Sequence, residues 1–548
     1  MSVLALGLRG IVDGLLAGEI SSRWDLDEAK RRLCSELGLK GFIRNSDILR
    51  QAKPSERKKL LFLLQKKPSR TVSGVAVVAA MTKPSKCPHG RCKYCPGGPD
   101  LNVPQSYTGK EPATRRAIQY NFDPYLQTTF RLHQLKTIGH PVDKVELIVM
   151  GGTLTAQPLE YQEFFVKGCL QAMNDFASSD AALKKVGSAK FAEALGKSKF
   201  GSMKSIQVRN ETASVRCVGL TFEPRPDYCK KKEINSMLGF GVTRVEVGVQ
   251  NPDDRVYKRV DRGHTVKDVV ESTQQLKDSG LKVGYHMMPG ILGNKPKLDL
   301  EAFRKIFTSQ EFRPDMVKIY PCIILKGTEY YDGWVQGKFT PITTEQAVDL
   351  IVRVKEVMPP WVRTMRIMRD IPSNLVEAGI KSSNLGQLVY ERMAEKHVKC
   401  KCVRCREVGR FLAQGIEPNL KDIELVRRDY RASNGREIFL SFEDGKQDIL
   451  IGFLRLRIPY KPFRPEISER SALVRELHVY GPMVELNEKP EFEWQHRGFG
   501  RELLKEAELI AKKEFNSKEI LVTSGVGVRD YYRKFKYAQK GVYMAKRI

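Results

Sequence analysis

The sequence predicts an α/β protein in which a partial (β/α)6 barrel is followed by a smaller α+β domain, and three observations carry that prediction. From residue 72 to about 325, short apolar runs alternate with helical stretches, the pattern of βαβ units that feed a parallel sheet. From about residue 426 the texture changes to antiparallel β with one long helix. At 548 residues the chain is long enough for two or three separate cores.

Residues 1–72 read as a basic helical module. Between Arg44 and Arg70 lie nine basic residues against only Asp47 and Glu56. Leu60-Leu61-Phe62-Leu63-Leu64 can dock inward while Lys58, Lys59, Lys66 and Lys67 face out. Such a surface suits phosphate contacts, although a merely solvated helix face has a similar composition.

Residues 73–385 are assigned to the barrel. Its six expected strands are 74–81, 144–150, 217–222, 244–250, 282–288 and 316–322. Ligands gather at the C-terminal ends of barrel strands. There the sequence places turns: Gly151-Gly152-Thr153, Glu223-Pro224-Arg225-Pro226, Gln250-Asn251-Pro252 and Met288-Pro289-Gly290. A lysine-rich insertion (Lys184, Lys185, Lys190, Lys197, Lys199, Lys204) separates the second and third units.

The first run leads into Cys87-Pro88-His89-Gly90-Arg91-Cys92-Lys93-Tyr94-Cys95. Three thiolates on a short loop suit an iron–sulfur cluster with one iron free of protein ligands, whereas four would close the site. The C-x4-C-x2-C spacing is one residue longer than the C-x3-C-x2-C of most radical S-adenosylmethionine (SAM) enzymes. The competing reading is a zinc knuckle with a distant fourth ligand.

Residues 386–425 form a cysteine-rich linker. Cys400, Cys402 and Cys405 suit structural zinc, with His397, Cys322 or a barrel residue as the fourth ligand.

In residues 426–548, strand 437–442, the Asp444-Gly445 turn and strand 449–458 make a hairpin, and 473–480 is a further strand. Gln495-His496-Arg497-Gly498-Phe499-Gly500 then opens a helix over 501–512, ahead of strand 519–523 and Tyr531-Tyr532. Glycines at a helix start let backbone N–H groups cradle a pyrophosphate. In this strand context they mark the acyl-CoA site of a GNAT acetyltransferase.

Composition narrows the partners. A formal charge of +29 points to a polyanion, and with no membrane-spanning stretch nucleic acid leads. The absence of a signal-peptide layout gives the expectation of a cytoplasmic protein. Six of the eleven cysteines sit in two tight clusters, which argues for metal chemistry over disulfides.

Together these segments closely resemble the catalytic subunit of Elongator in its archaeal or bacterial single-protein form, over essentially the whole chain. Further motifs carrying the resemblance are Lys67-Pro68-Ser69-Arg70-Thr71-Val72-Ser73-Gly74-Val75, Arg475-Glu476-Leu477-His478-Val479-Tyr480-Gly481 and Ser524-Gly525-Val526-Gly527-Val528-Arg529-Asp530-Tyr531-Tyr532. The resemblance implies a radical SAM barrel joined to a GNAT domain, which acts on the anticodon stem-loop of tRNA. It places a carboxymethyl-type group on carbon 5 of the wobble uridine. The implied cofactors are a 4Fe–4S cluster, SAM, acetyl-CoA and zinc, and the implied further partners are a second copy or other Elongator-type subunits.

Residue roles follow from the same resemblance. Cys87, Cys92 and Cys95 hold the cluster; Gly151, Gly152 and Thr153 meet SAM, with Glu223 and Gln250 as lesser contacts. Lys144 serves acetyl-CoA. Glu476, Leu477, His478 and Val479 pair with pantetheine, and Phe499, Gly500 and Arg501 hold the pyrophosphate. Tyr532, with Tyr531 beside it and His478, is placed at the thioester. The alternatives are a protein lysine acetyltransferase with a structural cluster, and a tRNA-binding scaffold without turnover.

Overall fold

Runs rich in Val, Ile and Leu, punctuated by glycine turns, build a parallel sheet buried on both faces. The computed structural model describes residues 3–39, 41–66, 71, 73–187, 190–191, 200–481 and 498–548. Gln495-His496-Arg497, Lys67-Pro68-Ser69-Arg70, Val72, Lys197 and Lys199 lie outside the described residues.

The first sheet comprises β1 (Ala76–Met81), β2 (Lys144–Met150), β3 (Arg216–Phe222), β4 (Arg244–Gln250), β5 (Lys282–Met287), β6 (Met316–Ile319) and β7 (Arg363–Ile367). They lie in that order, all neighbours parallel. Helices such as Pro124–Thr137, Leu159–Asn174, Val266–Asp278 and Thr344–Glu356 alternate with the strands and cover the outer face. β1 and β7 are the two edges, so the barrel is partial.

The expected six strands are joined by a seventh. β7 reads Arg-Thr-Met-Arg-Ile and has no apolar run to reveal it. Its Arg363 is nonetheless buried, because it donates to Glu407 at 2.7 Å.

A second seven-stranded sheet follows, built from β8 (Ile423–Ala432), β9 (Gly435–Asp444), β10 (Ile449–Ile458), β11 (Ser471–Val479), β12 (Glu519–Val522), β13 (Ala538–Lys540) and β14 (Tyr543–Arg547). The order is β8-β9-β10-β11-β12-β14-β13, and only β11 and β12 pair in parallel. The helix Phe499–Phe515 packs its Leu503, Leu504, Ala507 and Ile510 into this sheet's core. The hairpin and the long helix match expectation. β8 starts inside the stretch assigned to the linker, and its largely exposed alternation hid it.

The two sheets meet through buried charges. Arg457 of β10 reaches Asp278 of the barrel at 2.6 Å and Glu437 of β9 at 2.8 Å, all three nearly or fully buried. The second domain docks against the N-terminal ends of the barrel strands. A Cβ added at Gly527 would lie 2.5 Å from Arg216 Cβ at the start of β3, so glycine permits this approach.

Helices Val3–Ala17, Arg23–Glu36, Asn45–Gln51 and Pro54–Leu64 enclose a small core of Leu8, Val12, Leu26, Ile48, Leu60 and Leu64. The Gln65 side chain ties this module to the barrel by donating to the Gly139 carbonyl at 3.1 Å. Among the described residues no helix is long and apolar enough to cross a membrane.

Candidate functional site: a cysteine-lined barrel mouth and a strand-and-helix site in the second domain

β1 delivers the cysteine loop to the C-terminal mouth of the barrel. Cys87, Cys92 and Cys95 line a cavity of about 160 Å³ together with Gly151, Gly152, Thr153, Glu223 and Gln250. The barrel-mouth residues expected from sequence are therefore gathered at one place. Gly151 has φ +112, and an added Cβ would lie 2.5 Å from Thr82 Oγ1. That positive φ and the close approach of the Thr82 side chain require glycine.

Each thiol has a polar neighbour. Cys87 Sγ lies 3.8 Å from Thr153 Oγ1. Gln105 Nε2 donates to Cys95 Sγ at 3.2 Å. His89 Nε2 stands 3.1 Å from Cys92 Sγ, and Arg262 Nη1 reaches the same sulfur at 3.7 Å. Burial raises the Cys87 thiol pKa, opposed by the Thr153 hydroxyl and the charges of Arg225 and Arg262. Burial, together with Arg225 and Arg262, pushes the His89 imidazole down to about 3.

The lining suits a bound polar group. Arg262 Nε and Gln250 Oε1 are buried without a hydrogen-bond partner. Gln250 also has φ +65, a left-handed conformation that a non-glycine residue adopts at a cost of about 1 kcal/mol or more. Three thiols, a buried guanidinium and an unsatisfied amide fit an anionic iron–sulfur cluster with a polar ligand beside it.

Glu223 and His286 of the cavity lining belong to a charged quartet with Glu246 and Lys318, one residue from each of four successive units. His286 Nε2 is 2.9 Å from Glu246 Oε2. Lys318 Nζ is 2.7 Å from Glu223 Oε1 and also pairs with Glu246. Attraction to Glu223 and Glu246 outweighs burial and holds the Lys318 ammonium well above its ordinary pKa. The two carboxylates thus already hold a cation. No sequence pattern exposed this quartet, because its members are some thirty residues apart.

Lys144 is not at this mouth. It opens β2, whereas Met150, at the other end, lines the cavity. Six residues of strand separate them, roughly 20 Å. Lys144 pairs in register with Arg216, at the end where the second domain docks. Burial lowers its pKa.

The second domain offers a different site. The β11–β12 ladder runs only from Ser471↔Glu519 to Val474↔Val522. Glu476, Leu477, His478 and Val479 lie beyond it, paired on their other side with β10. The helix Phe499–Phe515 starts here, after Gly498 at φ +94. A Cβ added to Gly500 would lie 2.6 Å from Tyr531 Oη and 3.6 Å from Val479 Cγ2. Strand end, helix start and Tyr531 thus converge, with Phe499 and Arg501 on either side of Gly500 in the first turn.

Tyr532 belongs to the domain core, 6% exposed, with Tyr537 at 5.9 Å. Its neighbour Tyr531, 36% exposed, is the tyrosine at Gly500. Burial pushes the Tyr531 hydroxyl up to about 12. His478 is half-buried and donates from Nε2 to the Ser73 carbonyl at 3.3 Å, with its ring 4.3 Å from Tyr480. The Glu476 carboxylate is engaged by Arg455 at 2.8 Å, leaving backbone rather than side chain for a ligand.

Cys400, Cys402 and Cys405 bring their sulfurs within 4.8 Å of one another. Among the described residues neither His397 nor Cys322 joins them. Cys322 lies instead in the apolar cluster of Cys92, Cys95 and Met288. The nearest further polar atom on Cys402 is Lys355 Nζ at 3.3 Å, from a fully buried lysine. Forty-seven residues separate the two, so spacing alone could not supply it.

Comparison with known proteins agrees with this geometry. The Radical SAM superfamily model matches residues 82–301, the Radical_SAM C-terminal domain residues 314–395, and the ELP3 N-terminal domain residues 5–72. The chain is 54% identical to the tRNA uridine(34) acetyltransferase of Methanocaldococcus infernus, over 92% of this chain and 91% of that one. It is 43% identical to Elongator complex protein 3 of Homo sapiens, over 95% and 93%. The solved archaeal Methanocaldococcus infernus Elp3, with residues 1–46 deleted, superposes with a TM-score of 0.74 at 49% identity, covering 87% of this chain and 100% of that one. The barrel, its cysteine-lined mouth and these relatives together show that the chain belongs to the family of the Elongator catalytic subunit, a radical SAM family.

Proposed function

We propose that this protein is a tRNA-modifying acyltransferase that uses SAM and acetyl-CoA to place a carboxymethyl-type group on carbon 5 of the wobble uridine. The observation that carries the reading is one chain joining a three-thiol barrel mouth to a strand-and-helix site of acyl-CoA type. When bound, a 4Fe–4S cluster on Cys87, Cys92 and Cys95 supplies the one-electron cleavage of SAM and with it a hydrogen-abstracting radical. Carbon 5 of uracil is a poor nucleophile toward a thioester carbonyl. An acetyl methyl that has given up a hydrogen atom would add to carbon 5. The adduct would then return one electron to the oxidised cluster and lose the carbon 5 hydrogen as a proton. Water would cleave the thioester to release CoA and leave the carboxymethyl group, which gives the barrel its role.

The chain's own groups do the holding. Gly151, Gly152 and Thr153 expose backbone to SAM, and Gln250 and Arg262 offer unsatisfied polar atoms beside it. In the second domain, of GNAT type, the strand end 476–479 pairs with pantetheine amides. The start of helix Phe499–Phe515 holds the pyrophosphate through N–H groups and the helix dipole. Tyr531 stands beside the pyrophosphate turn at Gly500, Tyr532 and His478 serve the thioester, and Lys144 lies at the end of the barrel where the second domain docks. Zinc closes the linker on Cys400, Cys402 and Cys405 with Lys355 beside it.

Transfer RNA is held by phosphate contacts from the basic N-terminal module. There Trp24, Phe42 and Phe62 are 68%, 93% and 66% exposed and offer stacking faces among the cations. Such a protein works in the cytoplasm. Nucleoside mass spectrometry of tRNA incubated with SAM, acetyl-CoA and a reductant tests the reading. Acetyl-lysine in a protein substrate, with no modified uridine, would instead support a lysine acetyltransferase.

A further inference from the structure

We propose that His89, oriented by Arg225, raises the reduction potential of the cluster through an N–H···S hydrogen bond to Cys92. His89 lies in the segment between Cys87 and Cys92 that is one residue longer than the common radical SAM spacing. Its Nε2 stands 3.1 Å from Cys92 Sγ. On the other side of the ring, Arg225 Nη1 lies 2.5 Å from Nδ1. A guanidinium can only donate, so Nδ1 accepts and the ring proton of the neutral imidazole sits on Nε2, pointing at the sulfur.

Arg225 is itself fixed. Its Nε and Nη2 donate to the two Asp227 oxygens at 3.0 and 2.9 Å, and Nη1 also donates to the Arg262 carbonyl at 2.6 Å. The side chain is 4% exposed. Asp227, Arg225 and His89 therefore form a relay that ends on one thiolate. Gly263 supplies an independent sign that the imidazole's place is built. It has φ +72, and an added Cβ would lie 2.5 Å from His89 Cβ, so only glycine leaves room for the ring.

Hydrogen bonds to cluster sulfurs draw charge from the metal centre and favour its more negative, reduced form. The buried Arg262 guanidinium on the same sulfur acts in the same direction. His89 is thus a positioning residue for electron uptake, acting through Cys92. The inference rests on the cluster assigned above and not on the tRNA reading. Its test contains neither tRNA nor acetyl-CoA, so the two fail separately.

The test is an EPR-monitored redox titration of the anaerobically reconstituted full-length protein and its His89→Phe, His89→Gln and Arg225→Met variants, with iron counted in each. At the potential where the wild-type cluster is half reduced, His89→Phe is expected to show about a tenfold lower reduced-to-oxidised ratio, equivalent to about 59 mV for one electron. His89→Gln, which keeps an N–H donor, should recover most of that loss. Wild-type potential in an iron-replete His89→Phe overturns the proposal, as does a His89→Gln that behaves like His89→Phe. If His89→Phe fails to retain iron, Arg225→Met decides, since it leaves the imidazole but releases its orientation. A shift in the same direction supports the relay, and an unchanged potential refutes it.

Discussion

Arg475 of the second domain and Asp315 of the barrel form a two-pronged ion pair across the domain boundary. Nη1 meets Oδ2 at 2.6 Å and Nη2 meets Oδ1 at 2.7 Å. Neither side chain is exposed, and Glu437 accepts a further bond from Nη2 at 2.7 Å. A buried pair of this kind adds little over an apolar contact, but breaking it strands a charge. Its consequence is geometric: the barrel and the second domain are held in one relative orientation.

Arg475→Ala should therefore cost about 3–5 kcal/mol, because Asp315 and Glu437 lose their main counter-charge. Arg475→Ala with Asp315→Ala should recover part of that loss. Thermal melting of the three proteins checks this, and an unchanged Tm in the single variant would contradict it.

Gly500→Glu should abolish acetyl-CoA binding, since its Cβ meets Tyr531 Oη and its charge opposes a pyrophosphate. Iron content and tRNA affinity should stay at wild-type levels. Calorimetric titration with acetyl-CoA reads the first, and metal analysis and filter binding read the others.

These sites differed in how visible they were. Cys87, Cys92 and Cys95, the Gly151-Gly152-Thr153 turn and the glycines at 498 and 500 were legible because each acts through neighbours in sequence. Arg262 on Cys92 and Lys355 on Cys402 were not, being 170 and 47 residues from their partners. Tyr531 and Tyr532 are adjacent, and only packing decides which one enters the core. β7 and β8 escaped for a related reason: polar residues such as the buried Arg363, and an exposed edge, erase the apolar pattern that marks a strand.

Binding of tRNA should fall linearly with salt on a log–log plot, as phosphate contacts require. Arg57 and Lys59 are exposed on helix Pro54–Leu64. Arg57→Glu with Lys59→Glu should flatten the slope by about 1–2 and weaken all tRNAs alike. A loss confined to one anticodon would contradict phosphate contact.

Asp299 should make stability depend on pH. Burial pushes its carboxyl up to about 7, opposed only by the Gly290 N–H that donates to it at 2.8 Å. The folded state therefore binds more protons than the unfolded one between about pH 4 and 7, so stability falls as pH rises through that window. The full effect is about 4 kcal/mol at most. Asp299→Asn should flatten the Tm-against-pH curve there and raise Tm at pH 8. A variant curve parallel to wild type would show that the carboxyl is ionised throughout.

The central claim is that the two sites cooperate in one reaction on tRNA, and nucleoside mass spectrometry tests it most directly. Wild-type protein, anaerobically reconstituted and given SAM, acetyl-CoA, a reductant and tRNA, should convert the wobble uridine to its 5-carboxymethyl-type form. Cys92→Ser, with acetyl-CoA binding intact, and Gly500→Glu, with iron intact, should each yield none. Unmodified uridine from an iron-replete wild-type protein, together with acetyl-lysine formation that survives Cys92→Ser, would contradict the account.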